Sequence, residues 1–279
     1  MTGDKWQVAR DGAIAVALVT GHLSLVMPFE FANWMLVFVR VSALLAVFPV
    51  FNARNVPVQL RLALGVLTAL LIAPGLPPMS LAQVSVGQFV LLVVKEVGVG
   101  VLFGFVARMV FYMLDVAGAI ITQEMGLGMA STLNPFSESR SEAPGTILYY
   151  LAVLLFLALD MHHWLLVAFQ QSYRVLPVGG AGLSEALFNN VLGQTSRMFL
   201  VALQMSAPLI AVSFVFSLVF AVLGRAVPQM NVFSESFAIR TLAGLMVFGL
   251  SLNLMAQHIS NWLRRLPQDV LNVATLLGG

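Results

Sequence analysis

The 279-residue chain contains no cysteine. This absence excludes disulfides, thiolate metal ligands and thiol nucleophiles. Charged residues are scarce as well, at 9% of the chain, where soluble globular proteins carry about 25%. The net charge is +2 and no cluster of basic residues is present, so the composition gives no indication of nucleic-acid binding. Apolar residues make up 59%, more than one soluble core would bury, and a membrane protein is predicted.

Long runs with few or no charged residues predict roughly seven helical spans, since a span needs about 20 apolar residues. The proline-rich sequence PGLPP at 74–78 divides one of these runs, because proline ends helices. The runs lack the period-two alternation of a membrane barrel, so the predicted fold class is an all-α membrane protein. The runs are Ala13–Phe29, Phe31–Phe51, Leu62–Val94, Val97–Gln123, Thr146–Tyr173, Met198–Gly224 and Thr241–Leu263.

The segment MGLGMASTLNPF, at 125–136, separates two of the apolar runs and differs from both. It is too apolar for an ordinary solvent loop and too rich in glycine for a stable helix. Glycine permits unusual backbone shapes, and methionine fills irregular apolar gaps. Taken alone, the segment is more typical of a turn at the lipid headgroups with incidental methionines.

Several charges fall inside the apolar runs, among them Arg40, Arg108 and Asp115. A charge at the centre of a bilayer costs roughly 2.5–3.5 kcal/mol on insertion scales, so each should face protein or water. Three interpretations stay open: pairing within the chain, pairing with other subunits, and an ion or proton relay. Gly100 and Gly104 form a GxxxG pattern, which predicts close helix packing.

The stretch LDMHHW at 159–164 most resembles enzyme chemistry, because Asp160 and His163 share a helix face. A metal site would need further ligands, and neither His22 nor His258 lies at a useful spacing. We therefore expect the stretch to position a helix near an interface and expect no metal site. Nucleotide and dinucleotide motifs and a serine nucleophile elbow are absent, so neither enzymatic activity nor a cofactor is predicted.

Four stretches together resemble the FliR family of flagellar export-gate proteins, which has counterparts in virulence injectisomes. They cover most of the chain from about residue 37 onward. The sequence PQMNVF after an apolar helix is the most specific part of the match. The four stretches are Val39–Gly65, Glu96–Pro135, Leu159–Gly180 and Ala207–Phe233.

The resemblance implies a fold and a set of partners. Family members are built from kinked helical hairpins and pack with FliP-like and FliQ-like subunits around a secretion pore. They work with FlhA-like and FlhB-like components in the bacterial inner membrane, at the flagellar basal body, and pass unfolded proteins. Residues 31–279 would form this export-gate domain, preceded by an N-terminal extension at 1–30 that holds the first apolar helix.

The resemblance also implies site residues. The segment at about 124–145 corresponds to the family's pore plug, with Met125, Gly126, Leu127, Gly128, Met129, Ala130 and Leu133 as gate residues. The expected subunit contacts are Arg225, Pro228, Gln229, Met230, Asn231 and Phe233.

The predicted function is that of a structural and gating subunit of a flagellar type III export pore. The same role in an injectisome is the near alternative. A multi-spanning secondary transporter is the alternative from a different class, and it would place a binding site between paired half-helices.

Overall fold

A computed structural model describes residues 31–51, 56–77, 85–127, 143–227, 229 and 231–279. These residues form seven α-helices and one 3-10 turn, and the described ranges contain no strand, so the all-α membrane fold is confirmed. The predicted extension at 1–30 lies outside the described residues. The elements are α1 (Phe31–Val47), α2 (Val58–Ile72), the 3-10 turn Ala73–Gly75, α3 (Val86–Glu124), α4 (Ala143–Ala158), α5 (Met161–Val175), α6 (Glu185–Ala226) and α7 (Val232–Gly278).

Three helices are much longer than a bilayer requires: α3 has 39 residues, α6 has 42 and α7 has 47. At 1.5 Å per residue they extend about 60–70 Å, twice the roughly 30 Å of a hydrocarbon core. By length and composition, four helices could cross a membrane, or five if the bent pair α4 and α5 forms one span.

The count of spans differs from the seven predicted because run length does not record where the chain bends. The run Thr146–Tyr173 is two helices that meet at 70°. Helix α1 has only 17 residues, and Ala13–Phe29 lies outside the described ranges.

Helix α3 lies at the centre and packs against α1, α4, α6 and α7. Phe48, just after α1, is fully buried and contacts Phe111 of α3 and Phe156 of α4, with ring centroids 5.9 and 5.4 Å apart. Such aromatic pairs contribute about 0.5–1.5 kcal/mol each beyond the area they bury. This cluster holds the ends of α1 and α4 on the middle of α3.

Side-chain caps fix the start of two long helices. Ser85 and Gln88 form a reciprocal capping box at the start of α3, which satisfies two backbone N–H groups that the helix leaves free. The Ser184 hydroxyl accepts from Leu187 N (3.1 Å) at the start of α6 and donates to Leu276 O (2.9 Å). The second bond attaches the start of α6 to the last turn of α7.

Arg40 and Glu96 form a fully buried ion pair between α1 and α3, with both side chains 0% exposed. Arg40 donates through Nε to Glu96 Oε2 (2.5 Å) and through Nη2 to Oε1 (3.0 Å). The guanidinium lies 4.0 Å from the centre of the Tyr173 ring, and Gly179 N donates to Glu96 Oε1 (2.9 Å). Of the three interpretations for Arg40, the structure shows pairing within the chain. We call Arg40, Glu96, Tyr173 and Gly179 the Arg40 junction.

Gly100 and Gly104 lie directly against the backbone of α1. A Cβ at Gly100 would collide with the carbonyl oxygen of Arg40, and one at Gly104 would lie 2.7 Å from Val47 Cβ. The missing side chains therefore let α1 and α3 approach closely beside the Arg40 junction, which keeps the guanidinium and the carboxylate within hydrogen-bonding distance.

Candidate functional site

The structure describes three of the seven predicted gate residues: Met125, Gly126 and Leu127, which we call the loop root. They follow the last turn of α3 and precede the segment predicted to form the plug. The other four predicted gate residues lie outside the described ranges: Gly128, Met129, Ala130 and Leu133.

Met125 lies inside the subunit, with 1% of its surface exposed. Its side chain occupies the space left by Gly244 of α7, where a Cβ would lie 2.6 Å from Met125 Cγ. Thr241, one turn earlier on α7, donates its hydroxyl to Met125 O (3.0 Å). Met125 thus attaches the loop root to α7, and its place in the gate stays a prediction.

Gly126 ends α3 in the left-handed region, with φ of 77°, where a residue with a side chain would be strained. Its N–H donates to Gln123 O (3.0 Å), and a Cβ here would touch the ring of Phe237 at 3.4 Å. Glycine at this position therefore lets the chain leave α3 beside Phe237 of α7.

Arg240 connects the same part of α7 to α6, because its Nη2 donates to the Ser217 hydroxyl (2.8 Å). A small cavity next to it is lined by Glu124, Met125 and Ser213 together with Arg240 and Gly244. The loop root, α6 and α7 consequently meet at one place, and a shift of either helix would be transmitted to the first residues of the loop.

The predicted subunit contacts lie at the turn between α6 and α7. Arg225, Gln229 and Asn231 are exposed on the subunit. Pro228 and Met230 lie outside the described residues, and the side chain of Phe233 is not described. Exposure leaves the three described residues accessible to a neighbouring subunit.

The helices that lead to this turn carry large exposed apolar faces. On α6, Phe214 and Val222 are 62% and 67% exposed, and on α7 Leu242 and Leu250 are 65% and 82% exposed. An exposed apolar patch of this kind marks a surface for protein or lipid. We call residues 214–227 and 235–250 the α6–α7 end.

The charges on α3 beyond Glu96 have their own surroundings. The Arg108 guanidinium lies 4.8 Å from the centre of the Tyr112 ring, a cation–π arrangement. Asp115 is exposed and lines a cavity of about 300 Å³ together with Gly118, Gly145 and Tyr149.

The LDMHHW stretch forms the sharp bend between α4 and α5. Asp160 stands immediately before α5 with φ of 53°, and its carboxylate lies 3.7 Å from His163 Nδ1. The side chains of Asp160 and His163 are 71% and 70% exposed. The structure adds a third group, because potential ligand atoms of Asp160, His162 and His163 all lie within 4.8 Å of one another.

Sequence reasoning missed the residues that receive the loop root, Thr241 and Gly244, because they lie more than 110 positions away along the chain. No local motif signals such a contact. His162 was overlooked for a different reason: adjacent residues on a regular helix point about 100° apart. In the structure the two imidazole rings nevertheless lie with their centroids 4.1 Å apart at the start of α5.

The family model described as "Bacterial export proteins, family 1" matches residues 31–266. The chain is 30% identical to the flagellar biosynthetic protein FliR of Pectobacterium carotovorum subsp. carotovorum over 250 residues, which cover 87% of this chain and 95% of the relative. It is 29% identical to the flagellar biosynthetic protein FliR of Escherichia coli strain K12, covering 85% and 92%. It is also 29% identical to Yop proteins translocation protein T of Yersinia pestis, covering 79% and 86%.

Proposed function

This chain belongs to the bacterial export proteins of family 1, and on that premise we propose that it is a structural and gating subunit of a flagellar type III export pore. The observation that carries the proposal is the match to proteins named flagellar biosynthetic protein FliR over nearly their whole length. A shared activity is more credible when the whole relative is matched than when one segment is.

The physical features of the subunit support an assembled rather than a solitary protein. The long α6 and α7 expose apolar faces on either side of a turn with exposed Arg225, Gln229 and Asn231. Apolar faces favour burial, and polar groups among them need hydrogen-bond partners once buried. We assign this surface to FliP-like and FliQ-like neighbours, with FlhA-like and FlhB-like components as further partners in the bacterial inner membrane.

The gating role concerns the segment that leaves the loop root. Because Met125 is buried on α7 and Gly126 has a left-handed backbone directly after α3, the subunit fixes where that segment begins. An uncharged segment rich in glycine and methionine suits a seal that excludes ions yet yields to a passing chain. We propose that residues 127–133 provide the seal and that Met125 and Gly126 anchor it.

Family members are structural membrane components, and we propose that the chain performs no catalysis and needs no cofactor. The energy for export would then come from partner proteins.

The assembly test is the native mass and subunit content of the tagged chain, extracted in mild detergent after co-expression with its FliP-like and FliQ-like partners. We expect one large complex with one copy of this chain and several of each partner. Recovery only as a monomer or a small homo-oligomer, beside well-expressed partners, would contradict the proposal and favour a secondary transporter.

The gating test is deletion of residues 128–133, which leaves the loop root in place. A membrane that contains the altered complex should then be permeable to small ions, whereas a membrane with the unaltered complex should not. An unchanged ion permeability at equal recovery of the complex would remove the sealing role while leaving the structural role intact.

An injectisome is the second candidate, because translocation protein T shows 29% identity, the same as one of the flagellar relatives. Restored motility in a strain that lacks its own FliR would support the flagellar role. Restored injectisome secretion without restored motility would support the other.

A further inference from the structure

We propose that Asp160, His162 and His163 bind one divalent transition-metal ion, of the Zn²⁺ type, at the bend between α4 and α5. Their potential ligand atoms lie within 4.8 Å of one another. Two imidazoles and one carboxylate are a donor set that Zn²⁺ uses in proteins with three protein ligands, which leaves a fourth position open. Nothing in the proposed export role requires such a site, and it stands or falls independently.

The first supporting observation is the conformation of Asp160. Its backbone is left-handed, with φ of 53° and ψ of 28°, and no other residue except glycine has a positive φ in the described ranges. Such a conformation costs free energy and is often found at functional sites. An aspartate directly before a helix normally accepts a hydrogen bond from the first turn, yet this one makes no side-chain cap. Its carboxylate is directed to His163 instead.

The second observation is His162. Its Nδ1 is shielded from solvent and has no hydrogen-bond partner within the described part of the chain. Buried nitrogens without a partner are uncommon in native proteins and call for an explanation. The His162 and His163 rings lie side by side, with centroids 4.1 Å apart. If the His162 ring rotated, a bound cation would give its Nδ1 the partner that this atom lacks.

The distances require adjustment but little loss of packing. Tetrahedral Zn²⁺ with bonds of about 2.0–2.1 Å needs ligand atoms roughly 3.3 Å apart, so the widest separation must contract. Asp160 and His163 are 71% and 70% exposed, and their side chains can change rotamer in solvent. The start of α5 disfavours a cation through the helix dipole, and the full negative charge of Asp160 offsets that partial charge.

The location gives the site a consequence for the fold. The three ligands lie where the chain passes from α4, which packs on α3, to α5, which packs on α7. Asp160 directly precedes α5, and His162 and His163 belong to its first turn. Helices α4 and α5 meet at 70°. An ion that ties Asp160 to the first turn of α5 would hold this residue in the left-handed conformation at which the chain bends. The open coordination position would accept water or a side chain of a neighbouring subunit.

The test is Zn²⁺ binding to the full-length chain in mild detergent, purified with a tag that contains no histidine. Isothermal titration and metal analysis after dialysis would give affinity and stoichiometry, and Co²⁺ would report tetrahedral geometry through its visible absorption. We expect one Zn²⁺ per chain and a rise in melting temperature on its addition, as mass action requires of a ligand of the folded state.

The variants are Asp160→Asn, His162→Gln and His163→Gln, with His258→Gln of α7 as the matched control. Loss of one ligand should weaken binding by about tenfold or more, since even outer-shell changes cost 10–100-fold. The control should bind as the unaltered chain does. Should His162→Gln misfold, the exposed His163 still provides the test.

Two results would overturn the proposal: no stoichiometric Zn²⁺ on the folded chain, or equal affinity in the His163→Gln variant and the unaltered chain. Because the chain is tested alone, failure here would not bear on the export role, and failure to assemble with partners would not bear on the metal site.

Discussion

The Arg40 junction buries charged groups, whereas the α6–α7 end exposes apolar ones. At the junction, two charges are fully buried and hydrogen-bonded within the subunit: Arg40 donates to Glu96 and to Leu176 O, and Glu96 also accepts from Gly179 N. At the α6–α7 end, apolar side chains such as Met246 and Leu250 are 70% and 82% exposed. The buried charges of the first region are paired within the subunit, whereas the apolar side chains of the second are left uncovered by it.

This difference separates stability from assembly. A buried ion pair contributes little net stability over apolar side chains, but breaking it is costly because one charge stays behind. Exposed apolar faces do not stabilise the isolated subunit. They lower the free energy only when a neighbouring protein or lipid covers them. Substitutions at the junction should therefore lower the free energy of unfolding of the subunit. Substitutions at the α6–α7 end should instead lower the amount of assembled complex that is recovered.

The largest effect is expected for Glu96→Gln, which leaves Arg40 buried without a counter-charge. Removing one partner of a buried pair costs about 3–5 kcal/mol. The melting temperature of the subunit in detergent should therefore fall strongly. Glu235→Gln makes the same chemical change at an exposed position of α7 and should cost under about 1 kcal/mol. Equal melting temperatures for the two variants would contradict the structural role of the junction.

A smaller loss is expected for Gly100→Ala, because its Cβ would collide with the backbone oxygen of Arg40, which cannot move as a side chain can. Overpacking of this kind costs about 1–3 kcal/mol. Gly98→Ala on the same helix meets nothing within 4 Å and should be neutral or stabilise the helix by up to about 1 kcal/mol. Chemical denaturation of both variants measures the difference, and a Gly98 variant as unstable as the Gly100 variant would refute the packing argument.

At the α6–α7 end we expect the opposite pattern. Leu218→Gln and Leu242→Gln change side chains that are 53% and 65% exposed, so unfolding of the isolated subunit should change by less than about 0.5 kcal/mol. Each should weaken association with FliP-like and FliQ-like partners by on the order of 1–2 kcal/mol. Less complex should therefore be recovered. Normal recovery of the double variant would show that this surface faces lipid rather than protein.

A modest effect on stability is expected for Gly244→Ala. Its Cβ would lie 2.6 Å from Met125 Cγ, which a change of rotamer can move, and 3.4 Å from Met125 Cα, which is an ordinary contact. We expect a cost of about 1 kcal/mol and a displaced loop root, seen as a raised ion leak through the assembled complex. Gly249→Ala, on the same helix with open space around it, is the control. An unchanged leak in the Gly244 variant would mean that the anchor does not set the seal.

The sequence was a good guide wherever a property is local. The scarcity of charge and the long apolar runs predicted a helical membrane protein, and the proline-rich sequence at 74–78 marked the division between α2 and α3. The motifs spread from Val39 to Phe233 indicated the family to which the chain belongs. Periodicity and composition act over a few turns of chain, so they can be read without knowledge of the fold.

Pairing in space depended on the tertiary structure. Arg40 was expected to need a partner, but only packing selected Glu96, 56 positions away, together with Tyr173 and the backbone near Gly179. In the same way, only the tertiary structure places Met125 against Gly244 of α7. A sequence states which side chains need a partner, since that follows from charge and polarity. It does not state which distant residue supplies one, because that choice depends on how α3, α6 and α7 cross.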